Sequence, residues 1–160
     1  MRTLVAHEPP VIGVLPDAEQ AFTAEHRVQE AYRQRGGGAG MATFIALTLW
    51  HGKFTDEFGS QAPDPAAFGL PVHDDGARGE PVLSGAPSPV TAYQPDIAAL
   101  AAVSTRVVIA AGIENQGLLT WRASAALGLE LTVFPRNHGG FLGPESGRPG
   151  QPEPFAARLD

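Results

Sequence analysis

RVVIAAGIENQGLLTWRASAALGLELTVF, residues 106–134, decides the fold class. Arg106 to Ala111 (RVVIAA) reads as a continuous β-branched run, which is the pattern of a strand buried on both faces. Gly112 to Gly117 is a loop. Leu118 to Leu127 predicts a helix, and Gly128 stands where a helix end favours a left-handed residue. Leu129 to Phe134 is the next strand. A strand, a short helix and a second strand make a βαβ unit, which implies parallel neighbours joined by a helical crossover. The class is α/β.

Working outward, Thr3 to Ala6 is a short apolar run stopped by Pro9 and Pro10, and it reads as a buried strand delivering His7 and Glu8 to its C-terminal end. Pro16 and Asp17 suit the first turn of a helix, with Phe22, Val28 and Tyr32 as a loose apolar stripe. Gly36-Gly37-Gly38 ends it. A second helix over roughly 39–49 carries Met41, Phe44, Ile45 and Thr48 on one face. Residues 51–92 are rich in Gly, Pro and Asp without periodicity, and predict a mobile lid or a poorly ordered linker. Pro95 and Asp96 open a short helix through Val103, and Pro154 begins a last one. The expected organisation is one α/β domain with core strands at 3–7, 106–111 and 129–134, flanking helices, and a helical or irregular cap-like insertion over about 11–92.

The composition excludes several function classes. A net charge of −6 without a basic patch argues against nucleic acid or an anionic membrane as partner. Arg33 and Arg35 read as cations favourably placed at a helix end. The chain has no cysteine, so disulfides, thiolate metal sites and cysteine nucleophiles are ruled out. The longest apolar stretch, Ile97 to Ile113, is interrupted by Ser104, Thr105 and Arg106, whereas a membrane span needs about 20 apolar residues. Residues 1–15 lack a basic head and a long apolar run, so a cytoplasmic protein is the default. No Gly-rich phosphate loop is present and no cofactor is expected. His73-Asp74-Asp75 is a weak metal candidate, because it lies in the least patterned stretch. His26 and His51 have no partner in sequence.

In parallel α/β sheets, ligands bind beyond the carboxyl ends of the strands. Three loops leave such ends here, and each holds a polar or ionisable pair: His7-Glu8, Glu114-Asn115 and Asn137-His138. His138 sits in PRNHGGF (135–141), an exposed tight turn, where a histidine can serve as a general base near neutral pH. Glu8 can orient an imidazole as a triad acid does. His7, on the opposite side of an ideal strand, reads as structural. Either Glu114 or Asn115 can contact a histidine from the neighbouring strand, although ENQG is also ordinary turn chemistry.

RTLVAHEPP (2–10) resembles the sixth strand of an α/β-hydrolase and the turn after it. YQPDIAAL, RVVIAAG, WRASAALG and LTVFPRNHGGF, within residues 93–160, resemble the C-terminal part of the same serine-nucleophile subfamily. His138 matches the catalytic histidine. The usual family acid lies three residues beyond the glycine ending the seventh strand, and that position is Asn115 here. The resemblance therefore implies Glu8 as the acid, with Glu114 second. The nucleophile elbow requires Gly-x-Ser-x-Gly, and no serine in the chain has that setting.

The resemblance implies that five strands, the oxyanion-hole loop and the serine precede Met1, so an N-terminally truncated and inactive hydrolase is expected. A GTG valine codon read as a start would turn a family-like VRTLVAHEPP into MRTLVAHEPP. The complete form would hydrolyse an ester or related acyl substrate, a small molecule. The alternatives are a non-catalytic remnant, a subunit of a split enzyme, or a small-molecule binding protein. A small sheet with an open parallel edge also predicts self-association through that edge.

Overall fold

A computed structural model describes residues 2–148 and 150–159. Three strands, β1 (Thr3–His7), β2 (Arg106–Gly112) and β3 (Leu131–Phe134), form one parallel sheet in the order β1-β2-β3. Thr3 pairs with Arg106 and His7 with Ala110, while Ile109 pairs with Leu131 and Gly112 with Phe134. The fold class is α/β. β2 is central, and its residues from Val108 onward are buried, as the β-branched run requires. β3 begins at Leu131 rather than Leu129, because Gly128 turns at φ 66° and the ladder first closes from the Ile109 N–H onto the Glu130 carbonyl.

β1 departs from the buried strand expected of it. Its first residues are exposed, with Leu4 at 44%. In the three-strand order β1 lies at an edge, and its ladder partner is β2 alone. Only its C-terminal half reaches the core, where Val5 packs on Ala110, Phe134 and Phe155.

The chain divides into two compact units, Met1–Leu15 with Gln94–Asp160, and Pro16–Tyr93. The first holds the sheet. The crossover helix (Leu119–Ala126) lies against β2 and against a short 3-10 turn at Ile12–Val14. Residues 11–15 therefore belong with the sheet rather than with the insertion, and the buried side chains of Ile12 and Leu15 are the reason. A helix at Ile97–Ala102 is capped by Asp96, whose carboxylate accepts the Ala99 N–H at 2.9 Å. A last helix, Pro152–Ala156, brings Phe155 into the core.

The second unit is built on a long helix (Ala18–Thr48) interrupted at Gly36, whose φ 85° and ψ −174° are accessible in practice only to glycine. One residue makes the break, and the helix resumes at Gly37, earlier than the second-helix start read from sequence. The buried face after the break is also not the expected one. Ala39, Gly40, Ala42, Thr43 and Leu47 are buried, while Met41, Phe44, Ile45 and Thr48 are half-buried. Small side chains let neighbouring backbone come close, and the apolar-stripe reading overlooked them.

The 51–92 segment has more structure than a linker. It carries a 3-10 turn (Pro65–Phe68) and two one-turn helices (Pro81–Ser84 and Ser88–Thr91). Phe54, Phe58 and Leu83 are buried anchors, and the Phe54 N–H is held by the Asp17 carboxylate at 2.6 Å. Isolated anchors of this kind leave no periodic trace.

Candidate active site

The carboxyl ends of β1, β2 and β3 bring together a buried carboxylate and an exposed imidazole. The prolines after Glu8 end β1, and Glu8 itself takes a left-handed φ of 48°. At the end of β3, Arg136 does the same with φ 67°. Non-glycine residues in that region are uncommon and concentrate at sites where geometry is imposed by the surroundings. The PRNHGGF turn is closed by the Gly140 N–H onto the Asn137 carbonyl at 2.9 Å, and by the Gly139 N–H onto the Asn137 side chain at 3.0 Å.

Glu8 is 1% exposed and its carboxylate accepts four hydrogen bonds. The Gly112 N–H reaches Oε1 at 2.9 Å, and Asn115 Nδ2 bridges both oxygens at 2.8 and 2.9 Å. His138 Nδ1 lies 3.1 Å from Oε2, from a side chain that is 67% exposed. Burial alone pushes the Glu8 carboxyl up. The bonds from His138, Gly112 and Asn115, with the nearby charge of His7, outweigh burial and hold it below the usual carboxylate range. An ionised carboxylate only accepts, so Nδ1 is the protonated ring nitrogen. Nε2 is left with its lone pair and, among the described residues, without a hydrogen-bond partner.

The hydrogen bond to Glu8 raises the His138 imidazole above its ordinary value, against a smaller opposing effect of burial. His7 moves the other way: burial pushes it down, with the Glu8 charge opposing and the His138 charge adding. These directions fix a pH response. The Glu8 contribution to stability is present above its unfolded pKa of about 4.3 and is lost as pH falls through its lower folded value. The His138 contribution is full below about pH 6.5 and is lost as pH rises through its raised folded value. His7 works against folding below about pH 6.5, where its unfolded form takes a proton more readily. A histidine-resolved NMR titration should therefore place the His138 midpoint above that of a free imidazole and the His7 midpoint below it. Coincident midpoints would contradict the geometry.

The other candidates lie elsewhere or act differently. Among the described residues Glu114 makes no hydrogen bond to His138: its carboxylate is held by Arg136 at 2.8 Å and by Asn137 Nδ2 at 3.1 Å. The short 3-10 turn at Ile113–Asn115 separates the two side chains, so Asn115 joins the buried carboxylate while Glu114 faces the His138 turn from outside. Asn115 thus binds the Glu8 carboxylate rather than the histidine ring that the sequence offered to either residue.

His7, read as facing away, stacks on His138 with centroids 5.6 Å apart and planes 20° apart. The positive φ at Glu8 breaks strand alternation and puts both neighbours beside the same ring. A non-glycine left-handed residue is invisible to periodicity, although the two prolines marked where the strand had to stop. The sequence marks Gly112 only as the end of a strand and the start of a loop, yet its N–H is one of the donors to Glu8.

In the other unit, Asp74 and Asp75 are engaged in local turns through the Gly76 and Ala77 N–H groups. Arg78 pairs with Asp74 and, with Gly76, holds its carboxyl down at about 2. His26 and His51 are exposed. Among the described residues no group of three or more His, Asp or Glu gathers as metal ligands. Among them also, no helix is long and apolar enough to cross a membrane.

No family model, curated protein or solved structure was found to match the chain.

Proposed function

We propose that this chain carries the acid and the base of an α/β-hydrolase that cleaves an ester or related acyl substrate by serine attack. His138 is the general base and Glu8 the carboxylate that orients it. The serine and the oxyanion donors come from chain outside the 160 residues, which hold no Gly-x-Ser-x-Gly. The observation that supports this reading is the Glu8–His138 pair. A buried, multiply hydrogen-bonded carboxylate fixes Nδ1–H and leaves Nε2 of an exposed ring free to take a proton, which is the division of labour in a nucleophile–histidine–carboxylate triad.

Without a nucleophile and oxyanion donors the base has nothing to activate, so the 160 residues alone are expected to be inactive. The test is a chromogenic ester assay on this chain and on a chain extended by the codons upstream of Met1. Hydrolysis in the extended chain only, abolished by His138→Ala, is the expected result. An in-frame stop immediately upstream, or an extended chain that is inactive towards short acyl esters, would overturn the proposal. Hydrolysis by the short chain would overturn it as well, because the nucleophile would then lie within the 160 residues.

A further inference from the structure

One hydrogen bond does not fix an imidazole. The Nδ1 contact to Glu8 restrains the ring of His138 at one atom, and within the breadth that hydrogen-bond geometry tolerates the ring can still turn. Because the side chain is 67% exposed, little protein surrounds it to prevent the turn. A second contact is needed to set the plane of the ring and therefore the direction of Nε2.

The stacked ring of His7 supplies that contact. Offset stacking at this separation is a favourable arrangement for aromatic rings. His7 is itself held by three phenylalanines. Phe155 meets it edge-on at 5.1 Å and 85°, Phe141 edge-on at 6.4 Å and 87°, and Phe134 tilted at 5.9 Å and 55°. Phe134 and Phe155 belong to the core on which β1 lies, so the wall is anchored in the sheet. His7 is also adjacent in sequence to the acid, so β1 delivers the hydrogen-bond partner and the stacking face together.

The Nε2 atom of His7 is buried and has no hydrogen-bond partner among the described residues. A buried nitrogen left unpaired disfavours folding. It also disfavours the charged ring, because nothing there accepts a second N–H. The groups facing His7 are Glu8, His138 and the apolar rings already named. When His138 takes a proton it therefore faces a neutral ring rather than a second cation.

Resting on the hydrolase reading for its role in turnover, we propose that His7 is a positioning residue that fixes the ring plane of His138. The ring contact lies wholly within the 160-residue chain and can be tested there without an activity assay. His7→Phe keeps a flat face in the same cage, and His7→Leu fills the cage with no face. In His7→Phe the His138 titration midpoint stays raised and the Nδ1–H proton remains visible. In His7→Leu the midpoint falls back toward the ordinary histidine value, and the Nδ1–H resonance is lost to exchange with water.

The inference is overturned if His7→Leu leaves both readouts as in the unmutated chain, or if His7→Phe loses them equally. Should His7→Leu not fold, the unmutated protein still decides. Cross-relaxation between the ring protons of His7 and His138 is expected, and its absence would overturn the proposal. Failure of the ester assay alongside these expected ring signals would remove the hydrolase reading and leave the positioning contact in place.

Discussion

Glu8→Gln should reverse the tautomer of His138. The native carboxylate presents acceptors to the Gly112 N–H, to Asn115 Nδ2 and to His138 Nδ1. A glutamine of the same shape has one acceptor oxygen and one NH2 group. The buried Gly112 N–H is fixed by the backbone and will claim the oxygen. The amide nitrogen then stands where Oε2 was, 3.1 Å from the histidine. Two donors cannot share that contact, so the ring is expected to move its proton to Nε2 and accept at Nδ1.

Long-range nitrogen–proton NMR distinguishes the two tautomers, and the His138 midpoint should fall from its raised position at the same time. In the complete enzyme of the proposal, a triad in the wrong tautomer loses about 10⁴ in kcat. KM should change far less, because the lost interaction belongs to the transition state. Retention of Nδ1–H in the glutamine variant would show that the carboxylate does not set the tautomer.

The second large effect is expected at Gly112. A Cβ built there would stand 2.5 Å from the Arg136 carbonyl oxygen, 2.7 Å from Asn137 Cα and 2.9 Å from the Asn137 carbonyl carbon. All three are backbone atoms of the turn that carries His138, and no rotamer change relieves the contact. Gly112→Ala must push that turn away from β2 or displace the N–H that binds Glu8. Overpacking of this kind disfavours the folded state by about 1–3 kcal/mol.

In a unit of this size each kcal/mol lowers Tm by about 4–8 °C. The loss should be accompanied by weaker coupling between Glu8 and His138, read as a His138 midpoint nearer the ordinary value. Gly128→Ala is the control for glycine removal alone, since an added Cβ there meets nothing within 4 Å although φ is 66°. If the two variants melt together and leave His138 equally unperturbed, the close approach at Gly112 does not matter to the site.

The elements that carry the sheet were legible because each has a local cause. β2 announces itself by an unbroken apolar run, the crossover by a ten-residue spacing closed by Gly128, and the three strand ends by polar pairs. Their convergence followed from topology. What escaped was set by single residues acting against the local pattern. A positive φ at Glu8 broke the alternation that would have put Glu8 and His7 on opposite faces, and the 3-10 turn after β2 sent Glu114 and Asn115 to different partners. The edge position of β1 and the anchoring of residues 51–92 likewise depend on contacts far apart in sequence, which periodicity cannot report.

Glu8 and His138 are separated by 130 residues, and β1 reaches β2 only after the whole of Pro16–Tyr93 has been threaded between them. For the order of folding this means that the pair is a late event. The crossover from β2 to β3 closes over a short stretch and can form first, whereas β1 must find its register across the longest loop in the unit. Loop-closure entropy grows only slowly with length, by about 0.6 kcal/mol per doubling, so equilibrium pairing is nearly indifferent to what fills that loop. Folding speed is not, because rates fall as contacts become less local. Deuterium pulse labelling during refolding should protect the Ile109 amide, bonded to Glu130, before the Glu8 amide, bonded to Ala110. The intervening unit is thus free to vary in length with little effect on the strength of the sheet, and the time needed to assemble Glu8 beside His138 is what such variation would change.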